Sequence, residues 1–179
     1  MADHRLAPSP AITAAPLEIG ETRLAPRPSG GVHMLVLSAG DPAALAAEIE
    51  AAFGPLPAIG RSARTRSGAM LLRPSRERGL CIGSGLAPSP ATGFHSLDQT
   101  GFWAMISLQG SGARAVLERH WRPDLGDVAF PRGAVAQSSL SGVSATLFRE
   151  AADSYLILVP RSYAAWLFDD LATTLHWVR

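Results

Sequence analysis

Three observations predict an α+β fold with mostly antiparallel sheets. Apolar residues recur at two periods along the chain, alternating in some segments and spaced by three or four in others. The connections between the later extended segments are too short for helical crossovers, so those strands must pair antiparallel. The order strand, helix, then several strands occurs twice across the 179 residues, with no convincing sequence repeat behind it. A pair of ferredoxin-like units is the expected architecture. Residues 1–16 are expected to form a flexible arm, 17–97 a first α+β unit and 98–179 a second.

In the first half, residues 17–24 have strand character, and Pro26, Pro28 and Gly30-Gly31 interrupt it. Residues 32–37 are a compact apolar run suited to a strand. Asp41-Pro42 supplies an N-cap and an early proline for a helix that reaches about Phe53 and stops at Gly54-Pro55. Leu45, Ile49, Ala52 and Phe53 form its apolar stripe. Strands follow at 68–73 and 79–83, around a charged turn at 74–78. Residues 84–92, rich in Ser, Gly, Ala and Pro, read as a linker.

In the second half, Phe102, Ala104, Ile106 and Leu108 alternate with Trp103, Met105, Ser107 and Gln109, which is strand periodicity. Gly110-Ser111-Gly112 turns the chain, and Ser111 is placed to cap a helix over 112–120 that buries Ala113, Val116 and Leu117. A loop at 122–132 leads to strands at 134–140, 143–148 and 154–159. Pro160-Arg161-Ser162 ends the last strand, with Ser162 as cap of a closing helix. Tyr163, Trp166, Leu167, Leu171 and Leu175 recur along that helix at helical spacing and are expected to be its buried stripe.

Composition bounds the chemistry. Hydrophobic residues make up 47% and charged residues 17%, enough to bury a core, and the formal net charge of +1 recruits neither nucleic acid nor membrane. All 16 basic residues are Arg. Without lysine, side-chain Schiff-base chemistry, a P-loop and a Ser–Lys dyad, which all need an ε-amine, are excluded. Cys81 is the single cysteine, so no internal disulfide or thiolate cluster forms. It lies in an apolar run and reads as a buried strand residue. The start of the chain does not read as a signal peptide, no span suits a bilayer, and a cytoplasmic location is expected.

No catalytic, cofactor or metal motif emerges. His4, His33, His95, His120 and His176 lack ligand spacing. Gly83-Ser84-Gly85 and Gly110-Ser111-Gly112 do not complete a dinucleotide fingerprint, although the second could offer backbone amides to an anion. Asp169 and Asp170 diverge on a helix, and Asp124 and Asp127 share a loop without an oxygen-rich cage. Six arginines between 61 and 78 are opposed only by Glu77. They read either as a solvated face or as a surface for an acidic protein partner. Arg61, Arg64 and Arg66 are the candidates there. Trp121 and Arg132 are further candidates, because Trp and Arg serve as interface anchors. For Trp121 a place in the core is the equal alternative.

The block Asp98-Gln99-Thr100-Gly101-Phe102-Trp103-Ala104-Met105-Ile106-Ser107-Leu108-Gln109-Gly110 is followed by Ala113-Arg114-Ala115-Val116-Leu117, Asp124-Leu125 and Ala129-Phe130-Pro131-Arg132-Gly133. Leu156-Ile157-Leu158-Val159-Pro160-Arg161-Ser162-Tyr163 then enters a helix with Trp166 and Leu167. These blocks resemble the C-terminal half of sarcosine oxidase γ subunits, over about residues 98–171. Where that family has a Gly-Pro-Asp-Glu-Trp-like turn, Leu72-Arg73-Pro74-Ser75-Arg76 keeps only the proline. The resemblance implies a fold like the folate-binding domain of the glycine-cleavage T-protein. It also implies a non-catalytic subunit packing against α in a heterotetramer that oxidises sarcosine or a related N-methyl amino acid. Flavins, NAD and folate then reside in the α and β partners, and none in this chain. The alternative is a stand-alone folate- or anion-binding module.

Overall fold

The computed structural model describes residues 9–28, 30–37, 41–83 and 93–178. The expected linker, residues 1–8 of the arm and most of Gly83-Ser84-Gly85 lie outside the described residues. The elements run β1 (Leu17–Ile19), β2 (Thr22–Arg27), β3 (Val32–Leu37), α1 (Pro42–Ala52), β4 (Arg61–Arg64), β5 (Met70–Arg73), β6 (Arg78–Ile82) and β7 (Phe94–Asp98). They continue with β8 (Trp103–Gln109), α2 (Ala113–Glu118), β9 (Val135–Leu140), β10 (Val143–Ala151), β11 (Ser154–Pro160), a 3-10 turn (Arg161–Tyr163) and α3 (Ala164–Trp177).

The strands form two antiparallel sheets. One has six strands in the order β1-β2-β8-β11-β10-β9, the other five in the order β4-β5-β6-β3-β7. The α+β class with antiparallel pairing is therefore as the sequence predicts. Sheet membership crosses the boundary expected at 97/98, however. β2 pairs with β8 in register Leu24↔Leu108, so the first hairpin belongs to the second sheet. The expected strand at 17–24 is in fact that hairpin, turned at Gly20, and β2 continues through Pro26. The expected arm is also anchored at its end. Ile12 is buried in the core, and the Arg161 guanidinium donates to the Ser9 carbonyl.

Alternation along the strands builds four layers. Leu35, Leu37, Leu71, Cys81 and Phe94 face α1, where Leu45, Ile49 and Phe53 meet them. Val32, Leu72 and Leu80, on the other face of that sheet, pack against Met105, Val135, Phe148, Leu156 and Leu158 of the six-stranded sheet. The outer face of the six-stranded sheet, with Ile106, Leu108, Leu147 and Ile157, takes Val116 and Leu117 of α2 and Leu167, Phe168, Leu171 and Leu175 of α3. The two sheets also join along one edge. The Val135 N–H donates to the Gly60 carbonyl at 2.8 Å and the Ser62 N–H to the Gly133 carbonyl at 3.0 Å.

Local chemistry explains several element ends. The Asp41 carboxylate accepts from the Ala43 N–H at 3.0 Å and caps α1, as its position predicts. Ser111 and Ser162 do not cap. Gly112 and Tyr163 hold the positions before α2 and α3 with no side-chain cap bond, and before α3 a 3-10 turn takes up Ser162. Gly110 has φ +105°, and a Cβ there would stand 1.9 Å from the Glu21 carbonyl oxygen, so only glycine fits against the first hairpin. Ser141 and Gly142, with φ of 51° and 86°, form the two-residue turn between β9 and β10.

Candidate partner-docking surface

The cationic stretch is split by strand geometry. Arg61 of β4 stands opposite Arg73 of β5, and Arg64 opposite Met70. Since side chains alternate across a sheet, Arg61 and Arg73 share the α1-facing side, while Arg64 points to the side facing the other sheet. There Arg64 lines a cleft of about 300 Å³ together with Arg27, Met70, Met105 and Glu150. Arg66 is exposed beyond β4. Arg132 is exposed across the sheet junction, its Nε donating to the Glu150 carbonyl at 3.2 Å. The structure thus brings Arg64 and Arg132 to the surroundings of Glu150 and sets Arg61 apart on the opposite face. Arg27 was missed by sequence reasoning, which stopped the first strand before it. It donates to both Glu150 carboxylate oxygens, at 2.7 and 2.8 Å.

Trp121 resolves in favour of the core. It is 2% exposed and bridges to Leu140, so its indole is not available to a partner. Trp166 and Tyr163 run the other way: each is 51% exposed. The stripe of α3 that faces the sheet is Ala164, Leu167, Phe168, Leu171 and Leu175. One residue of helix is about 100°, so positions 163 and 166 fall just off it. With Phe102 and Trp177, they leave four large aromatics exposed.

Two polar centres are internal. Arg149, 3% exposed, donates to the carbonyls of Phe130, Ala151 and Ala152 and to Asp127, and lies over the Tyr155 ring at 5.7 Å. Asp127 also receives Arg114 at 2.5 Å, and these contacts, the Arg149 hydrogen bond first, hold its carboxyl below the usual range. His120 forms the second centre. Its Nδ1 lies 2.6 Å from Ser141 Oγ, its Nε2 lies 2.7 Å from Thr174 Oγ1, and Ser141 Oγ donates to Asp170 at 2.7 Å. Burial lowers the His120 pKa, and Asp170 partly opposes that shift. Ser, His and Asp meet here, but Asp170 accepts the serine proton instead of orienting the far imidazole nitrogen, which Thr174 occupies. The group ties α2, the β9–β10 turn and α3 together and lacks the order of a nucleophilic triad.

The remaining candidates also have internal roles. Burial pushes the Cys81 thiol up to about 11. At the Gly110-Ser111-Gly112 turn, the Gly112 N–H donates to Thr22 Oγ1 at 2.9 Å and Ser111 Oγ to Glu21 at 3.2 Å. The turn's glycine amides are thus already used within the chain, the Gly110 N–H by the Asp153 carbonyl and the Gly112 N–H by the Thr22 hydroxyl. Among the described residues no three His, Cys, Asp or Glu groups are placed to hold a metal, and no helix is long and apolar enough to cross a membrane.

No family model and no curated protein sequence matches the chain. Solved structures do. A chain of heterotetrameric sarcosine oxidase from Corynebacterium sp. U-96, in complex with pyrrole 2-carboxylate, superposes with TM-score 0.71 at 23% identity, covering 87% of each chain. The glycine cleavage system aminomethyltransferase T from Bartonella henselae superposes with TM-score 0.64 at 15% identity, over 84% of this chain and 45% of that one. The chain therefore has the fold shared by a sarcosine oxidase chain and part of a glycine-cleavage T-protein.

Proposed function

We propose that this chain is the small, non-catalytic γ-type subunit of a heterotetrameric, sarcosine-oxidase-like flavoenzyme of the cytoplasm. The observation that carries the reading is mutual coverage. The sarcosine oxidase chain and this one each cover 87% of the other, so the likeness takes in nearly the whole of one chain of that oxidase. The internal use of Arg149, His120 and Cys81 is in keeping with a subunit whose polar residues hold the fold. In this reading flavins, NAD and folate are bound by α- and β-type partners, and the complex oxidises sarcosine or a related N-methyl amino acid.

The test is co-expression with the α- and β-type subunits of the same organism. Co-purification in a fixed ratio is expected, with flavin absorbance only when the large subunits are present. Stoichiometric flavin on the isolated chain would overturn the reading. A stand-alone folate- or anion-binding module is the second reading. The observation in its favour is a cleft of about 440 Å³ lined by Trp103, Met105, Arg27 and Arg161. Tight folate binding by the isolated chain, with no assembly, would select it.

A further inference from the structure

Resting on the subunit reading, we propose that Arg61, Arg73 and Arg76, with Ile59 beside them, form the docking site for an acidic segment of the larger oxidase subunit. Arg61 and Arg73 stand directly opposite each other on paired strands, an arrangement that is unfavourable for like charges. Arg76 adds a third positive charge, near enough to act electrostatically on Arg73. Arg73 is only partly satisfied. One guanidinium nitrogen donates to the Pro57 carbonyl at 3.0 Å, while its buried Nε has no acceptor.

Arg66 and Arg119 also lack an ion pair among the described residues, so what singles out Arg61 and Arg73 is that they stand opposite each other, in contrast to the arginines that are paired. Arg23, Arg27, Arg114 and Arg149 each have a carboxylate within 2.9 Å. Among the described residues, no ion pair neutralises Arg61, Arg73 or Arg76. A carboxylate between Arg61 and Arg73 would convert their repulsion into two charge-assisted contacts, and guanidinium groups suit that geometry. Ile59, 55% exposed in the turn before β4, adds an apolar anchor at the rim. A cationic rim with one exposed aliphatic fits an acidic loop carrying an apolar residue.

The experiment compares two charge-matched double variants of the full chain, Arg61→Glu/Arg76→Glu and Arg23→Glu/Arg119→Glu. All four residues are exposed. Circular dichroism verifies the fold, and affinity for the co-expressed large subunit is measured by biolayer interferometry. The first variant is expected to bind at least about tenfold more weakly, with the salt dependence of binding reduced, and the second as wild type does. Equal loss in both variants, or no loss in the first, overturns the docking site while leaving the subunit reading in place. A wild-type chain that assembles with no such subunit overturns both. Co-purifying nucleic acid that is lost only in the first variant overturns the acidic-protein assignment.

Discussion

The two sheets use arginine in opposite ways. In the six-stranded sheet Arg149 is buried, and its guanidinium meets three backbone carbonyls and Asp127, which pins the loop before β9 to the end of β10. In the five-stranded sheet Arg61 and Arg73 face each other across a strand pair, and among the described residues no ion pair neutralises either. The first arrangement closes on groups of the chain itself. The second leaves donors over. Arginine number therefore says little about a segment, whereas the acceptors within reach of each guanidinium separate an internal strut from a face with charge to spare.

The sharpest way to break this comparison is at the strut. Arg149→Met leaves the carbonyls of Phe130 and Ala152 without their donor, and should lower stability by about 3 kcal/mol in urea denaturation. An unchanged midpoint would remove the distinction between the two sheets. The next effect concerns pH. Burial lowers the His120 pKa in the folded chain, so the unfolded chain takes up the proton first. Stability is then fully present above the unfolded value of about 6.5 and falls as pH drops through and below it. The fall should be shallower in His120→Gln, measured as urea midpoints from pH 8 to pH 5.

Smaller effects are expected at exposed positions. Trp166→Ala should change stability by less than about 1 kcal/mol, although the sequence alone predicts a large loss, and its melting temperature decides. Arg61→Glu should raise stability by about 0.5 kcal/mol or leave it unchanged, since it places opposite charges on β4 and β5. A clear loss would mean that Arg61 already has a partner within the chain.

Much of the fold is legible where local chemistry decides. Asp41 announces α1, the compact apolar run at 32–37 marks β3, and alternation marks β8, whose two faces pack against different layers. The misses have physical causes. β4 and β7 are short edge strands whose polar residues give no apolar period: Arg61-Ser62-Ala63-Arg64 in one, His95 and Ser96 in the other. The facing of α3 was misjudged because Tyr163 and Trp166 carry more apolar bulk than Ala164, while the inward stripe depends on how the helix lies across the sheet. At the candidate surface, the cationic stretch was visible in sequence, but its division between two faces was not, since that follows from the β4–β5 register. Trp121 was undecidable without its contact to Leu140.

The hairpin that opens the chain has a consequence for how the molecule is made. Ser107 of β8 donates to the carbonyl of Ala25 in β2, 82 residues earlier. During synthesis β1 and β2 leave the ribosome long before β8 exists, and they wait while the whole five-stranded sheet emerges between them. Contacts of such separation slow folding, because a long loop must close before they form. A fragment starting at residue 98 would present β8 as an open edge, with unpaired amides inviting another strand. Supplied with the missing hairpin as a separate peptide, that fragment has a matching strand to capture, so the two pieces should reassemble as complementing halves of one sheet.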